Sequence, residues 1–366
     1  MHAFVRVQRK NMKRKLLVAV PLLCLVALLA WFFRPKHQEP HEAYVSERSV
    51  TLWSSVAQVR EPVGTLHYGD RVDVLAVRND STKVRTPASG VGWVDTRYLM
   101  EPALWQRSAE LLEQARVMPV QARGRTKVAT NLRIEPGRTK QRLYQFGRGI
   151  AVEIVGRAVA DWSQASDEKE PAEPQEAKKE EWYLVRGLAT RPPGEAAARN
   201  ADSNTTQAGD QTIPIACWVI ARFIEYDLPG PVREGAESAN IRPVAWFELN
   251  RVPDPSGDKP QYLVAGARGP EGQPCDFTTL RVYTWNLRKT RYETAFIEND
   301  LCGALPILVG RGPKNEPEFR FHDMDGNKSE RRYHLIQTVV RRIHEEGETG
   351  SKKKTGGDAK KRSASR

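Results

Sequence analysis

Residues 92–99 read GWVDTRYL, and residues 217–224 read CWVIARFI. Each octet has a small residue, then Trp-Val, two variable residues, Arg, an aromatic residue and an aliphatic residue. A pattern that occurs twice in one chain predicts an internal duplication. We therefore interpret the octets as the last strand and terminal turn of two related units.

The segments upstream of the octets can also be aligned. GTLHYGDRVDVLAVR (64–78) matches RLYQFGRGIAVEIVGR (142–157), which places Gly69 opposite Gly147. Apolar residues in the first of these segments recur with a period near two, which is typical of a half-buried strand. Gly and Asn-Asp positions between the segments indicate turns. The sequence thus predicts two units of short β-strands, at 44–100 and 127–228.

This arrangement resembles the bacterial SH3-like (SH3b) family, in which an N-x-R start, a Gly-containing turn, a Val-rich strand and a closing GWV segment recur. The matching residues in the second unit are Asn131-Leu132-Arg133, Gly147, Trp182 through Arg186 and Trp218-Val219, and those in the first are Gly69, Val84-Arg85, Gly92-Trp93-Val94 and Tyr98-Leu99. The first unit lacks the N-x-R start and a Trp before Lys83, and Cys217 replaces the closing Gly of the second. The resemblance implies two small β-barrels that recognise cell-wall peptide, glycan or a partner protein in a groove.

The aromatic residues of both units are the candidate ligand contacts, because aromatic rings stack on ligands at binding grooves. The candidate groove aromatics are Trp53, Tyr68, Tyr98, Tyr144 and Tyr183. For Trp93 and Trp218 we expect a structural role in the core, with groove lining as the alternative. Gly69 and Gly147 are expected to be structural turn residues.

The apolar run LLVAVPLLCLVALLAWFF (16–33) contains no charged residue. Its length nearly spans the hydrocarbon core of a bilayer. Six Lys or Arg residues precede this run in segment 1–15, so the positive-inside rule predicts a cytoplasmic N-terminus. We expect a single-pass protein of the inner membrane with the bulk of the chain in the periplasm or outside the cell. A cleaved signal peptide and a lipoprotein signal at Cys24 are the alternatives.

The remaining segments complete a mostly β protein with one transmembrane helix. Helical spacing of apolar residues predicts a linker helix at 101–120 that packs against a barrel, or alternatively binds a partner. Polar, Pro-containing insertions at 161–181 and 188–212 are predicted loops. Seven predicted strands over 240–345 favour an antiparallel β-sandwich or barrel. The basic tail at 346–366 has too few apolar residues to fold.

The cysteine and histidine residues give one structural prediction and no metal site. Cys275 and Cys302 would lie outside the cytoplasm, where a disulfide between them can form and contribute about 3 kcal/mol. Cys217 is expected to be a buried thiol. Asp325-Gly326 is predicted to be a hairpin turn, since the spacing required of a calcium loop is not met. We expect no metal and no cofactor.

The function expected from these features is binding. The formal charge of +12 resides largely at the two ends of the chain. No nucleic-acid-binding module is present, so we expect no nucleic-acid partner. No motif for a nucleophile, metalloprotease or phosphate loop occurs, so we expect no catalytic residues. We predict a membrane-anchored extracytoplasmic binding or scaffold protein. The alternatives are an envelope signalling or assembly component that acts through the C-terminal β domain, and a hydrolase.

Overall fold

The computed structural model describes residues 41–162, 179–191, 211–325 and 329–343. The predicted basic segment 1–15, the membrane helix 16–33 and the tail 346–366 lie outside the described residues, as do most of the two predicted insertions. Within the described ranges, no helix combines the length and apolarity needed to cross a membrane. The protein in these ranges is mostly β, with four antiparallel sheets and two α-helices.

The first repeat (residues 41–100) is a seven-stranded sheet. Its strands are β1 (His41–Val45), β2 (Ser49–Trp53), β3 (Pro62–His67), β4 (Arg71–Arg78), β5 (Ser81–Arg85), β6 (Val91–Asp95) and β7 (Leu99–Met100). They lie in the order β3-β2-β6-β5-β4-β1-β7. Alternate residues of β4, such as Val72 and Val74, are buried in one apolar cluster with Val84 and Val94. A strand with one buried face requires this alternation.

The second repeat (residues 122–226) has the same strand order. Its strands are β8 (Ala122–Thr126), β9 (Thr130–Arg133), β10 (Arg142–Phe146), β11 (Ala151–Asp161), β12 (Lys179–Arg191), β13 (Gln211–Ile220) and β14 (Ile224–Tyr226), in the order β10-β9-β13-β12-β11-β8-β14. In both repeats the octet forms the end of a strand, a 3-10 turn and a short final strand. The chain therefore contains a structural duplication.

The strand register corrects the alignment of Gly69 with Gly147. Gly69 and Gly149 are the residues with matching left-handed backbones, at φ 81° and 79°. The amide of Gly69 donates to the Val45 carbonyl, and that of Gly149 donates to the Thr126 carbonyl, which is the same contact in each repeat. Gly147 is two residues earlier and is not among the glycines with positive φ. Sequence alignment had matched Tyr68 with Phe146, whereas the hairpin pairing matches Phe146 with Leu66.

Helix α1 (Pro102–Val117) connects the repeats and occupies most of the predicted helical range 101–120. Pro102 begins the helix, where the missing amide proton of proline leaves no hydrogen bond unmade. Its buried residue Ala115 packs with Val155, Leu184 and Ala216 of the second repeat. At the opposite end, Trp105 contacts the first repeat. The helix thus packs on both repeats.

The C-terminal region begins with helix α2 (Gly230–Ala239), which the sequence did not predict, and continues with eight strands. The strands are β15 (Arg242–Val252), β16 (Lys259–Ala267), β17 (Thr279–Asn286), β18 (Arg291–Glu298), β19 (Gly303–Arg311), β20 (Pro317–Asp323), β21 (Glu330–Ile336) and β22 (Val339–Ile343). They form two four-stranded sheets, β15 to β18 and β19 to β22, each in sequential order. One buried cluster includes residues of both sheets.

The count of seven strands predicted in this region was wrong. The segment RRYHLIQTVVRRI, interpreted as one strand, is a hairpin of β21 and β22. Gln337 at its turn has a φ of 56°, a conformation that cannot continue a strand.

Cys275 and Cys302, predicted to pair, are joined by a disulfide. Cys217 is buried, and burial raises the pKa of its thiol.

A buried ion cluster joins the second repeat to the C-terminal region. The guanidinium of Arg157 lies 2.6 Å from Glu181 Oε1 and 2.7 Å from Asp276 Oδ1, and Arg242 lies 2.9 Å from Glu181 Oε2. The side chains of Arg157 and Glu181 are 1 % and 0 % exposed. Burial opposes the charge of Glu181, but the two arginines outweigh it and hold the pKa of that carboxyl below its ordinary value.

Gln121 makes a second buried connection at the same junction. Its side-chain oxygen accepts a hydrogen bond of 2.8 Å from the Ile307 amide, and its backbone carbonyl accepts one of 3.0 Å from Trp246. A buried amide side chain needs such partners, since an unsatisfied polar group is costly. The second repeat and the C-terminal region are therefore one packed unit.

Candidate ligand-binding groove

A groove of about 990 Å³ opens on the first repeat, and we call it the first-repeat groove. Three aromatic residues and three arginines line it together with acidic, hydroxyl, amide and aliphatic side chains. The lining residues are Ser46, Glu47, Ser49, Val50, Thr51, Trp53, Arg60, Ser81, Trp93, Val94, Asp95, Arg97, Tyr98, Leu99, Leu104, Gln141, Arg142 and Gln145.

Gly92 allows the two Trp-bearing strands to approach closely. A Cβ at this position would lie 2.6 Å from Leu52 Cγ and 2.8 Å from the Trp53 carbonyl oxygen. Only glycine fits so near a neighbouring strand. As a result, Trp53 on β2 and Trp93 on β6 are direct pairing partners. The small residue of the first octet therefore positions the aromatic floor of the groove.

The 3-10 turn after β6 places Tyr98 at the groove. The Asp95 carboxylate accepts a 3.0 Å hydrogen bond from the Arg97 amide and so caps the turn. Arg97 in turn donates a 3.0 Å hydrogen bond to the Tyr98 hydroxyl, with its guanidinium carbon 4.9 Å from the ring centroid. The Tyr98 hydroxyl and the Asp95 carboxylate raise the pKa of Arg97.

The three arginines of the groove differ in their partners. Arg97 lies 3.0 Å from the Asp95 carboxylate, and Arg142 lies 2.5 Å from that of Glu47. The guanidinium carbon of Arg60 lies 4.4 Å from the Trp53 ring centroid. Arg60 has no ion pair with any residue in the described part of the chain. Of the charges in the groove, that of Arg60 is therefore the one left uncompensated.

The second repeat supplies one wall of this groove. Gln141, Arg142 and Gln145 belong to β10 or the loop before it, and all three line the cavity. The Glu47–Arg142 ion pair crosses between the repeats. The groove is consequently a composite of both repeats, although all of its aromatic residues come from the first.

Tyr68 and Tyr144, predicted to face a ligand, lie instead in a joint between the repeats. They are 2 % and 3 % exposed, and their ring centroids are 4.7 Å apart. Trp105 of α1 stacks on Tyr44 at 4.9 Å and meets Tyr68 edge-on at 5.7 Å. Burial raises the pKa of the Tyr68 hydroxyl. Because both rings are buried, neither Tyr68 nor Tyr144 is available to stack on a ligand.

Tyr183 is also unavailable to a ligand. It is 2 % exposed, and its hydroxyl accepts a 2.7 Å hydrogen bond from that of Tyr226. Burial is the main cause of the raised pKa of both tyrosines. Of the five candidate groove aromatics, the structure brings Trp53 and Tyr98 together in the groove and places the other three in cores.

The two octet tryptophans have different surroundings. Trp93, expected in the core, is half-buried and lines the first-repeat groove. Trp218 is half-buried as well, but it packs with Leu111, Leu112 and Met118 in and after α1. The core expectation is thus wrong for Trp93, while Trp218 contributes to packing.

In the second repeat, the residues that correspond to those of the groove have partners within the chain. Arg133 is the pairing partner of Trp218, in the place that Trp53 holds in the first repeat. Arg222, the counterpart of Arg97, lies 2.6 Å from Glu180, and Arg138 lies 2.8 Å from the same carboxylate. Burial and nearby arginines lower the pKa of Arg133.

Gly69 has the structural role expected of it. Its left-handed backbone favours glycine, and a Cβ there would lie 3.1 Å from the Trp105 ring. The polar groove residues that sequence reasoning missed include Arg60, Arg97, Glu47, Gln141, Arg142 and Gln145. Only Arg97 carried a signal, since both octets contain it. Among the described ranges, no group of three or more His, Cys, Asp or Glu could hold a metal ion.

No protein-family model matches the sequence, and no curated protein matches it. Among solved structures, it aligns with NlpC2 from Trichomonas vaginalis at 9 % identity and a TM-score of 0.16, over 84 % of this chain and 93 % of the other. It aligns with NlpC1 from the same organism at 12 % identity and a TM-score of 0.16, over 85 % and 90 %. Scores this low define no shared fold.

Proposed function

We propose that the protein is a membrane-anchored extracytoplasmic binding or scaffold protein. Its two repeats are SH3-like domains, and the first-repeat groove recognises cell-wall peptide, glycan or a partner protein. Segment 16–33 holds the chain in the membrane with residues after it outside the cytoplasm. The protein acts by binding and not by catalysis.

The observation that carries this proposal is the set of half-buried aromatic residues in an open groove. Trp53, Trp93 and Tyr98 line one cavity, where their rings are available to a bound molecule. Ligand sites are concave, with aromatic walls and a few convergent polar groups. Aromatic rings supply contact area at a small loss of side-chain freedom, and for this reason they dominate binding energy at interfaces.

The matching strand order of the repeats and their closing octets support the SH3-like interpretation. The disulfide between Cys275 and Cys302 supports the extracytoplasmic location, because disulfides persist in oxidising compartments. A reporter enzyme that is active only outside the cytoplasm, fused after residue 366, tests this location. Activity of the fusion is expected, and a cytoplasmic reporter would contradict the topology.

The binding test is sedimentation of the full chain with insoluble peptidoglycan, together with capture from envelope extract. Trp53→Ala is expected to reduce retention at least tenfold, since truncating a central aromatic residue costs about 2 kcal/mol or more. Trp285→Ala is the matched control, because Trp285 lies in the C-terminal region and donates to Asp254. Equal retention of both variants and the wild type would refute a role of the groove.

A second candidate function is an envelope signalling or assembly role of the C-terminal region. Strands β18 and β22 are edge strands of their sheets. Ile297, Ile336 and Val339 are exposed on or next to these strands. Unpaired edge strands with apolar side chains can add a strand from a partner. Capture of one envelope protein that is lost in Val339→Lys and kept in Trp53→Ala would favour this function over the first.

A further inference from the structure

We infer that the ligand of the first-repeat groove is an extended peptide segment with a free carboxylate, and that this carboxylate pairs with Arg60 above the Trp53 ring. The inference rests on the proposed function, because it specifies which ligand the groove selects. It follows from the charge of the groove, the geometry of Arg60 and the chemistry of the groove walls.

The charge of the groove favours an anionic ligand. Three arginines and two acidic residues line it, which leaves a formal charge of 3 − 2 = +1. The two acids are already engaged by Arg97 and Arg142. A cationic ligand would have to displace one of these internal pairs, whereas an anionic ligand needs only the third arginine. The groove therefore discriminates by charge as well as by shape.

Arg60 is held where it can receive such a carboxylate. Its guanidinium carbon lies 4.4 Å from the Trp53 centroid, within the range of a cation–π contact. Arg60 has no ion pair in the described part of the chain, so its N–H groups are not engaged by a carboxylate of those residues. The planar fork of arginine matches a carboxylate with two parallel hydrogen bonds. The Trp53 ring thus holds the charge of Arg60 in place for the carboxylate of the ligand.

The walls of the groove favour a peptide over an apolar or purely charged molecule. Ser49, Thr51 and Ser81 supply hydroxyls, and Gln141 and Gln145 supply side-chain amides. Hydroxyls and amides both donate and accept hydrogen bonds, so they can satisfy the alternating N–H and C=O groups of an extended backbone. A volume of about 990 Å³ accommodates several residues, since drug-sized ligands occupy pockets of roughly 300–1,000 Å³.

The test uses the purified full chain and two pairs of probes. One pair is insoluble peptidoglycan with its carboxyl groups intact or converted to amides. The other is a set of nine-residue peptides immobilised on a surface. Each peptide is made in two forms, one with Glu or Asp and one with the matching Gln or Asn. We expect at least one intact probe to bind about tenfold more tightly than its amidated counterpart, the size of a lost charge-assisted hydrogen bond.

Arg60→Gln is expected to abolish this preference, so that intact and amidated probes bind within twofold of each other. Arg288→Gln is the matched control, because Arg288 is an exposed arginine of the C-terminal region. Wild-type binding that is equal for intact and amidated probes would overturn the inference and leave the proposed function standing. Failure to bind any intact probe would overturn both. Tighter binding of the amidated probes than of the intact ones would also overturn the inference.

Discussion

The two repeats share their strand order and their closing octet, yet their Trp-bearing faces have different surroundings. In the first repeat, Trp93 and its pairing partner Trp53 line an open groove. In the second, Trp218 packs with residues of α1, and Arg133 stands in the place of the second tryptophan. The Trp-bearing face is thus open in the first repeat and packed against α1 in the second.

The two copies therefore differ in how much of their surface the rest of the chain covers. The second repeat is fixed to the C-terminal region through Glu181, Arg157 and Gln121, so its surface is used by the rest of the chain. It still contributes Gln141 and Arg142 to the groove of its neighbour.

Arg157→Ala should lower the free energy of unfolding by about 3–5 kcal/mol, because it leaves Glu181 buried with one cation fewer. The corresponding residue of the first repeat is Val77, which is exposed. Val77→Ala should change the unfolding free energy by less than about 0.5 kcal/mol. Denaturant unfolding of the two variants checks the pair, and similar losses would show that both repeats carry the fold equally.

Trp218→Ala should lower the free energy of unfolding by about 2–3 kcal/mol, because it removes packing against α1. Its effect on ligand binding should be small. Trp93→Ala should do the reverse, with a loss of stability near 1 kcal/mol and an affinity for peptidoglycan reduced about tenfold. Thermal unfolding and sedimentation separate the two effects. A larger loss of stability in Trp93→Ala than in Trp218→Ala would contradict the placement of Trp93 in an open face and Trp218 in a packed one.

The pH dependence of stability should differ between the repeats. The folded-state pKa of Glu181 is below its ordinary value, so its stabilising contribution is present above about pH 4.5 and is lost as the pH falls through the folded-state pKa. The difference in unfolding free energy between the wild type and Glu181→Gln should therefore shrink between pH 6 and pH 3. Asp80 occupies the matching position of the first repeat and is exposed. Asp80→Asn, which removes the matching carboxylate without breaking a buried ion pair, is the control variant.

Glu47→Gln gives the smallest expected effect, because the Glu47–Arg142 pair is partly exposed to solvent. Exposed pairs contribute about 0.2–1 kcal/mol. The variant leaves Arg142 uncompensated, so it should bind an acidic peptide two- to threefold more tightly at low salt. Titration by calorimetry at two salt concentrations measures this. Unchanged affinity at low salt would indicate that Arg142 does not face the ligand.

The sequence was sufficient to predict the duplication, because the two octets keep their residue types in the same order. It was not sufficient to predict the strand register upstream, since Gly147 and Gly149 are the same residue type two positions apart. Which of them has the left-handed backbone depends on the hydrogen bond to Thr126. Helix α2 was missed because Gly235 weakens a helical pattern, and the reason for that glycine is the Tyr283 ring beside it.

The candidate site was predictable only in part for a related reason. Tyr98 was found because it is the aromatic residue of the first octet, and Trp53 because it is an aromatic residue in a predicted strand of the same unit. Tyr68 has the same character, but Trp105 from a helix outside the strand covers it. Arg142 comes from the other repeat, and Arg60 lies in a loop without periodicity. The places of Tyr68, Arg142 and Arg60 depend on contacts between segments that are far apart in the sequence. A local sequence pattern does not show such contacts.

Helix α1 also determines the angle between the two halves of the groove. Trp105 near its start stacks on Tyr44, and Arg186 donates to the carbonyls of Ala115 and Arg116 at its end. Each residue of an α-helix advances the chain by about 100° and 1.5 Å. One alanine inserted into α1 would swing Arg142 away from Trp53 without altering any side chain of the cavity, whereas seven would nearly restore the rotation but part the walls by about 10 Å. The length of α1 therefore sets how the two walls of the groove face each other, and the insertion of a single codon would change it.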